Sequence, residues 1–130
     1  MIVDTSAIIA VLFGEVDARK YARAIADADS CRMSAAATLV EASIVVDAQT
    51  KNSGGRQLDA FIRRAGIAIE PFTEEQAQIA RQAYADFGKG RHPAGLNYAD
   101  CFSYALAKTT GEPPLFKGAD FPKTDIDAAV

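Results

Sequence analysis

Histidine, cysteine and tryptophan are almost missing from this chain: His92 stands alone, there are two cysteines, and there is no tryptophan. Cys31 and Cys101 lie far apart and lack C-x-x-C spacing. That pattern excludes a disulfide framework, and a lone histidine cannot complete a His/Cys zinc set. Two reduced, buried thiols in a cytoplasmic protein are expected instead. No apolar run nears the ~20 residues of a membrane helix, so no membrane span is expected. Met1 leads directly into Ile2-Val3-Asp4, with no basic segment and no small-residue cleavage site, so no signal peptide is expected either. A basic excess is lacking too. Net charge is −3, which at first counts against nucleic acid as a partner. Setting four of the seventeen acids aside for a metal site leaves thirteen against fourteen Lys and Arg, a remainder near +1, and the objection falls away.

What the chain does have is a core. Apolar residues make up 49% of its 130 residues, enough for one domain spanning 1–130. Ile2-Val3 reads as a buried strand, Thr5-Ser6 as a cap, and Ala7 to Phe13 as a short helix stopping at Gly14. A helix from about Asp17 to Ala28 buries Tyr21, Ala22 and Ile25. Cys31-Arg32-Met33 is a brief strand. Ala36 to about Lys51 reads as a largely buried helix through Leu39, Val40, Ile44 and Val45. Asn52-Ser53-Gly54-Gly55 reads as a break, and Arg56 to Ala65 as a helix with Leu58, Phe61 and Ile62 inward. Ile67 to Phe72 is a strand. Thr73 with Gln76 forms a capping box for a helix to about Phe87, with Ala77, Ala80, Tyr84 and Phe87 inward. A Gly/Pro loop from Gly88 to Gly95 precedes a helix from Asn97 to near Gly111. Leu115-Phe116 is the last strand. Short strands alternating with helices predict an α/β fold, a central parallel sheet flanked by helices. In such sheets the functional crevice lies at the carboxyl ends of the strands.

Several acids fall at those ends. Asp4 closes an apolar strand, where an isolated carboxylate is costly to bury without a partner or a metal. Helix capping is its plain role, but Thr5 and Ser6 can cap in its place. Glu41 is the only charge between Ala35 and Val46. Its plain role is a Thr38-x-x-Glu41 capping box; with Ser34 as cap it moves into the second turn and inward. Asp100 stands three residues after Asn97, a cap-like spacing at a helix N-terminus suited to phosphate. Asp120 and Asp125 follow the last strand, in a loop where acids are usually just solvated. Three or four carboxylates in one crevice without matched cations repel one another and destabilise the fold. A hard dication relieves both problems, and oxygen-only ligands point to Mg²⁺ or Mn²⁺.

Four stretches, in order, resemble the PIN-domain ribonucleases, specifically the VapC-type toxins of bacterial toxin–antitoxin pairs. They are Met1-Ile-Val-Asp-Thr-Ser-Ala7, Ser34-Ala-Ala-Ala-Thr-Leu-Val-Glu-Ala42, Leu96-Asn-Tyr-Ala-Asp-Cys-Phe-Ser-Tyr-Ala-Leu-Ala107 and Leu115-Phe-Lys-Gly-Ala-Asp-Phe-Pro-Lys-Thr-Asp125. Each motif alone is weak; four in order across nearly the whole chain are specific. The resemblance implies an α/β domain, a Mg²⁺- or Mn²⁺-dependent endoribonuclease acting on RNA such as tRNA or rRNA, a homodimer, and a cognate VapB-type antitoxin. It implies that Asp4 and Asp100 ligate metal directly and that Glu41 and Asp120 complete the pocket directly or through water. Asp120 and Asp125 both remain open as the fourth acid. Ser6 and Asn97 match supporting polar positions.

A metal-activated water would leave a 5′-phosphate and a 3′-hydroxyl. Two basic groups stand as candidate RNA contacts: Lys51, Arg56, Arg63 and Arg64, and then Arg81, Lys89 and Arg91. Ordinary solvated helix faces are the plainer and preferred reading of both. Two rival functions compete. A phospho-accepting receiver domain needs an Asp after the third strand, where this chain has Glu70-Pro71-Phe72. A catalytically silent binding module has no reason to tolerate the repulsion of four acids.

Overall fold

Ile2 and Val3 are fully buried, and a strand so enclosed must pair on both edges. The computed structural model describes residues 1–51 and 53–130 and gives the pairing. Strand β1 (Ile2–Val3) lies between β2 (Cys31–Ser34) and β4 (Pro114–Leu115), and β3 (Ile67–Glu70) closes the far edge of β2. All pairings are parallel, as the alternation of strands and helices predicts, and the strand order is β3-β2-β1-β4. Ile2 stands opposite Arg32 and Pro114, so Asp4 emerges level with Ser34 at the carboxyl edge of the sheet.

Helices cover both faces. On one side α1 (Thr5–Leu12), α2 (Ala18–Asp27) and α4 (Gly54–Ala65) pack on the sheet through Ile8, Tyr21, Ile25, Leu58 and Ile62, against Val3, Met33 and Ile67. On the other, α6 (Tyr98–Thr110) lies over β1 and β2 and buries Leu106 and Ala107 with Ile2; α5 (Glu74–Phe87) packs along α6. Such burial is worth roughly 1.5–3 kcal/mol for each large apolar side chain. Arg32, in the middle of β2, pairs with Glu70 of β3 at 2.7 Å and with Glu112 ahead of β4 at 2.7 Å, which ties the outer strands to the centre. Burial alone would raise the Glu112 carboxyl, but the Met1 ammonium and Arg32 outweigh it and hold it below the usual range.

Several expectations need correction. The helix expected from Ala36 to Lys51 is two pieces: a π-helical turn over Ala35–Leu39, then α3 (Val40–Thr50). Its buried residues are Ala37, Thr38, Ala42 and Val46, whereas Val40 is 50% exposed and Ile44 64% exposed. The wider π turn shifts the facing of every later residue from that of a regular helix. Tyr84 likewise faces outward, and Ala83 takes the inward position beside Ala80. Thr73 caps α5 by accepting from the Gln76 amide, but the Gln76 side chain bonds Pro71 O, so the reciprocal half of the box is absent. Gly54 and Gly55, expected in a break, begin α4; Asn52 lies outside the described residues.

Gly54 has a packing reason to be glycine. A Cβ there would stand 2.1 Å from Val46 Cγ1 and 2.4 Å from Thr50 Oγ1. Val46 is branched at Cβ and cannot swing aside cheaply. Alanine would improve helix propensity by up to about 1 kcal/mol, but forcing apart the α3–α4 contact costs about 1–3 kcal/mol. Gly54→Ala should therefore lower the denaturant midpoint of unfolding; an unchanged or higher midpoint would show that the contact relaxes freely.

Candidate active site

Asp4 leaves β1 with extended backbone angles (φ −82°, ψ 157°), the geometry of a helix N-cap. Its Oδ2 accepts from the Ser6 amide at 3.0 Å and from Ser6 Oγ at 2.7 Å. Its Oδ1 accepts from Ser103 Oγ at 2.6 Å. The expectation that Thr5 and Ser6 free Asp4 from capping is thus corrected: Asp4 is itself the cap, and Ser6 is its donor. The residue is 6% exposed and forms no ion pair among the described residues. Three neutral hydrogen bonds hold a buried carboxylate whose charge no protein cation balances.

Asp100 opens α6. Asn97 Oδ1 accepts from the Asp100 amide at 2.9 Å, and Asp100 Oδ2 accepts from the Asn97 amide at 2.8 Å, a complete capping box. One carboxylate oxygen is used in the box. Burial pushes the Asp100 carboxyl up to about 6, against the lowering effect of the Asn97 hydrogen bond. The charges of Asp4, Asp120 and Glu41 add to the rise. The fields of acids from three other segments therefore all reach Asp100. Neighbouring Cys101 is pushed up to about 11 by burial and by Asp100, so it stays a thiol at neutral pH and offers no nucleophile.

Glu41 sits in the first turn of α3, half-buried, just beyond the π turn. The alternative box with Thr38 does not form; the Thr38 carbonyl instead accepts from Thr5 Oγ1 at 3.4 Å, and the Thr38 side chain is buried. Asp120 follows β4 and precedes a 3-10 turn over Phe121–Lys123. Buried Phe121 pins that turn, with its ring 4.6 Å from Phe116. Ser6 Oγ also accepts from the Lys117 amide at 2.9 Å, so one hydroxyl joins Asp4 to the loop carrying Asp120. Ser34, at the end of β2, is fully buried, and its hydroxyl has no hydrogen-bond partner. An orphaned polar atom of this kind marks room for a water or ligand. At these positions no three Asp, Glu, His or Cys side chains among the described residues lie close enough to share one ion.

A PIN domain model matches residues 1–127. Ribonuclease VapC28 of Mycobacterium tuberculosis is 55% identical over 100% of this chain and 98% of its own length. Ribonuclease VapC of Mycolicibacterium smegmatis is 48% identical over 98% of both chains. The chain belongs to the PIN-domain family, among the VapC ribonucleases. In fold, this PIN domain is similar to the crystal structure of M. tuberculosis VapC20, a sarcin–ricin-loop-cleaving toxin, with a TM-score of 0.72 at 21% identity, covering 97% of this chain and 95% of that one.

Within this PIN domain Asp125 stands apart from the other acids. It accepts from Tyr104 Oη at 2.7 Å and from Lys108 Nζ at 2.8 Å, and these partners hold its carboxyl below the usual range. Both bonds tie it to α6 through residues other than those that hold Asp4 and Asp100. The basic groups separate too. Arg56 and Arg64 line a groove between α2 and α4, and Arg63 faces a different hollow beside Asp59 and Ile62. Arg81, Lys89 and Arg91 line a cleft that reaches Asn97. Ser103 was not singled out from the sequence. Its signal is visible in retrospect: a hydroxyl one turn beyond Asp100 in an otherwise apolar stretch, on the face turned to the sheet.

Ser103→Ala should cost about 1–3 kcal/mol by leaving Asp4 Oδ1 unpaired, read by chemical denaturation; no loss would mean that water replaces the hydroxyl. Asp100 carries a pH signature. Its folded-state value lies above the ordinary carboxyl, so its contribution favours the fold at low pH and is lost as pH rises through about 6. Metal-free Asp100→Asn should therefore be more stable than the parent at pH 7, by on the order of 2 kcal/mol, with the gap closing toward pH 4. A gap that stays constant with pH would contradict the coupling.

Proposed function

We propose that this chain is a divalent-metal-dependent endoribonuclease, the toxin of a toxin–antitoxin pair, acting as one PIN domain over residues 1–130. The observation that carries the reading is Asp4, a buried carboxylate held by three neutral donors, coupled to Asp100, and without an ion-pair partner among the described residues. The near relatives named as VapC ribonucleases support the same activity. Asp4 and Asp100 are the direct ligands in this reading, and Glu41 and Asp120 complete the pocket directly or through water. The donors are all oxygen, which suits Mg²⁺, with Mn²⁺ as a substitute. A bound dication supplies Lewis-acid activation of water and offsets charge on the scissile phosphate. The protein's own part is to hold the acids. Ser6 and Ser103 fix the Asp4 oxygens, and Asn97 fixes one Asp100 oxygen, leaving the other outside the capping box.

The partners follow from the same reading. RNA, such as tRNA or rRNA, is the substrate. A cognate VapB-type antitoxin with an arginine reaching the carboxylates would inhibit by charge pairing. Exposed Val40 and Ile44, one turn apart on α3, support a homodimer. Among the described residues no helix is long and apolar enough to cross a membrane, and we place the protein in the cytoplasm.

The test is cleavage of total cellular RNA by purified, antitoxin-free protein with Mg²⁺, Mn²⁺ or EDTA, beside Asp4→Asn. Discrete products bearing 5′-phosphates should form with metal only, and Asp4→Asn should lose at least 10²-fold in rate. Products ending in 2′,3′-cyclic phosphate, or equal cutting in EDTA, would reject the mechanism. A folded, metal-binding protein that cuts nothing would favour the silent binding module.

A further inference from the structure

Beside the acidic crevice, between α5 and α6, lies a cleft of about 780 Å³, within the usual size range of ligand sites. Its chemistry is the reverse of the crevice's. Arg81, Lys89 and Arg91 line it, and no acidic residue does among the described residues. None of the three cations forms an ion pair among the described residues; Arg81 touches only the Gln78 amide oxygen, at 3.1 Å. In a chain of net charge −3 this is a local positive surface. Four aromatic rings line the rest of it among smaller side chains. Phe72 and Phe102 lie 4.4 Å apart, Tyr98 packs edge-on against Phe102 at 4.9 Å, and the Arg91 guanidinium sits 5.6 Å from the Tyr84 ring. Tyr98 is 77% exposed, so a ring face is free. The cleft is continuous with the acids: Asn97 lines it and also holds Asp100, and Tyr98 stands in the same helical turn as Asp100.

Aromatic faces bordered by unpaired cations fit one ligand chemistry closely, an unstacked nucleobase with its phosphates. A base inside a duplex cannot present its face to a wall of this kind. The geometry points to the cleft as a substrate subsite that takes an unpaired nucleotide of single-stranded RNA on Tyr98 and holds the adjoining phosphates with Arg81, Lys89 and Arg91. This rests on the ribonuclease reading and deepens it by assigning the side chains that hold the substrate beside the cut. It also separates the two basic groups: Arg81, Lys89 and Arg91 hold the substrate in this cleft, and Arg56, Arg63 and Arg64 line other hollows.

The test separates binding from cutting. Fluorescein-labelled hexa-adenylate, hexa-uridylate and a short RNA duplex are titrated with the full chain in EDTA, and anisotropy is read. Both hexamers should bind more tightly than the duplex. Tyr98→Ala should weaken hexamer binding about 5- to 150-fold, the range of one lost base–aromatic stack, and Tyr98→Trp should restore it. Arg91→Gln should weaken it and reduce the salt slope by about one phosphate contact. Because the Tyr98 side chain is mostly exposed, these variants are expected to keep the parent melting temperature. Hexamers that fail to bind the parent, or that bind Tyr98→Ala as tightly as the parent, overturn the proposal. A Tyr98→Ala protein with parental RNA binding and an altered sedimentation mass would assign the cleft to a protein interface instead. Loss of the ribonuclease reading registers separately, as absence of metal-dependent cleavage by the parent protein.

Discussion

Everything at the sheet's carboxyl edge depends on one buried carboxylate without a protein cation. Burying such a charge costs several kcal/mol unless hydrogen bonds and a counter-charge offset it. The protein provides the hydrogen bonds and omits the counter-charge. Ser6, from the helix that Asp4 caps, occupies one oxygen; Ser103, from the helix across the sheet, occupies the other. The position of α6 over β1 is thereby tied to the charge on Asp4. So is the loop after β4, because the Ser6 hydroxyl that donates to Asp4 also accepts from Lys117.

Asp100 shows how one residue serves structure and chemistry together. Its carboxylate completes the capping box of α6, and its other face meets the field of three more acids. The two roles pull in opposite directions, since the cap favours the charged form and burial disfavours it. Such a group destabilises the empty site at neutral pH, and a cation repays that strain on binding. Proteins commonly store unfavourable energy of this kind where they work.

The parallel sheet and its flanking helices were legible in the sequence, and the acids stood out as candidates, for a physical reason. Short apolar runs ending in a lone acid, as at Asp4, leave few ways to satisfy the charge. Helix facing was harder to read. Val40 and Ile44 look like core by composition, but a π turn ahead of them changes the phase, and no simple periodicity predicts a π turn. Gly54 and Gly55 look like a break, yet they begin a helix because Gly54 packs against Val46 and Thr50, a tertiary contact invisible to local propensity. Asp125 and Asp120 could not be told apart by position in a loop. Tyr104 and Lys108, which claim Asp125, are neighbours only in space.

The pairing of β1 with β4 also sets a schedule for synthesis. Ile2 and Val3 leave a ribosome long before their partners Pro114 and Leu115. Asp120 comes later still. A nascent chain therefore carries Asp4 and Glu41 for a long stretch of translation with no completed sheet edge to bring Asp100 and Asp120 beside them. Long-range closure of this kind is slow to form and late to finish. The acids at the sheet's carboxyl edge therefore come together only after the segment carrying Pro114, Leu115 and Asp120 has emerged.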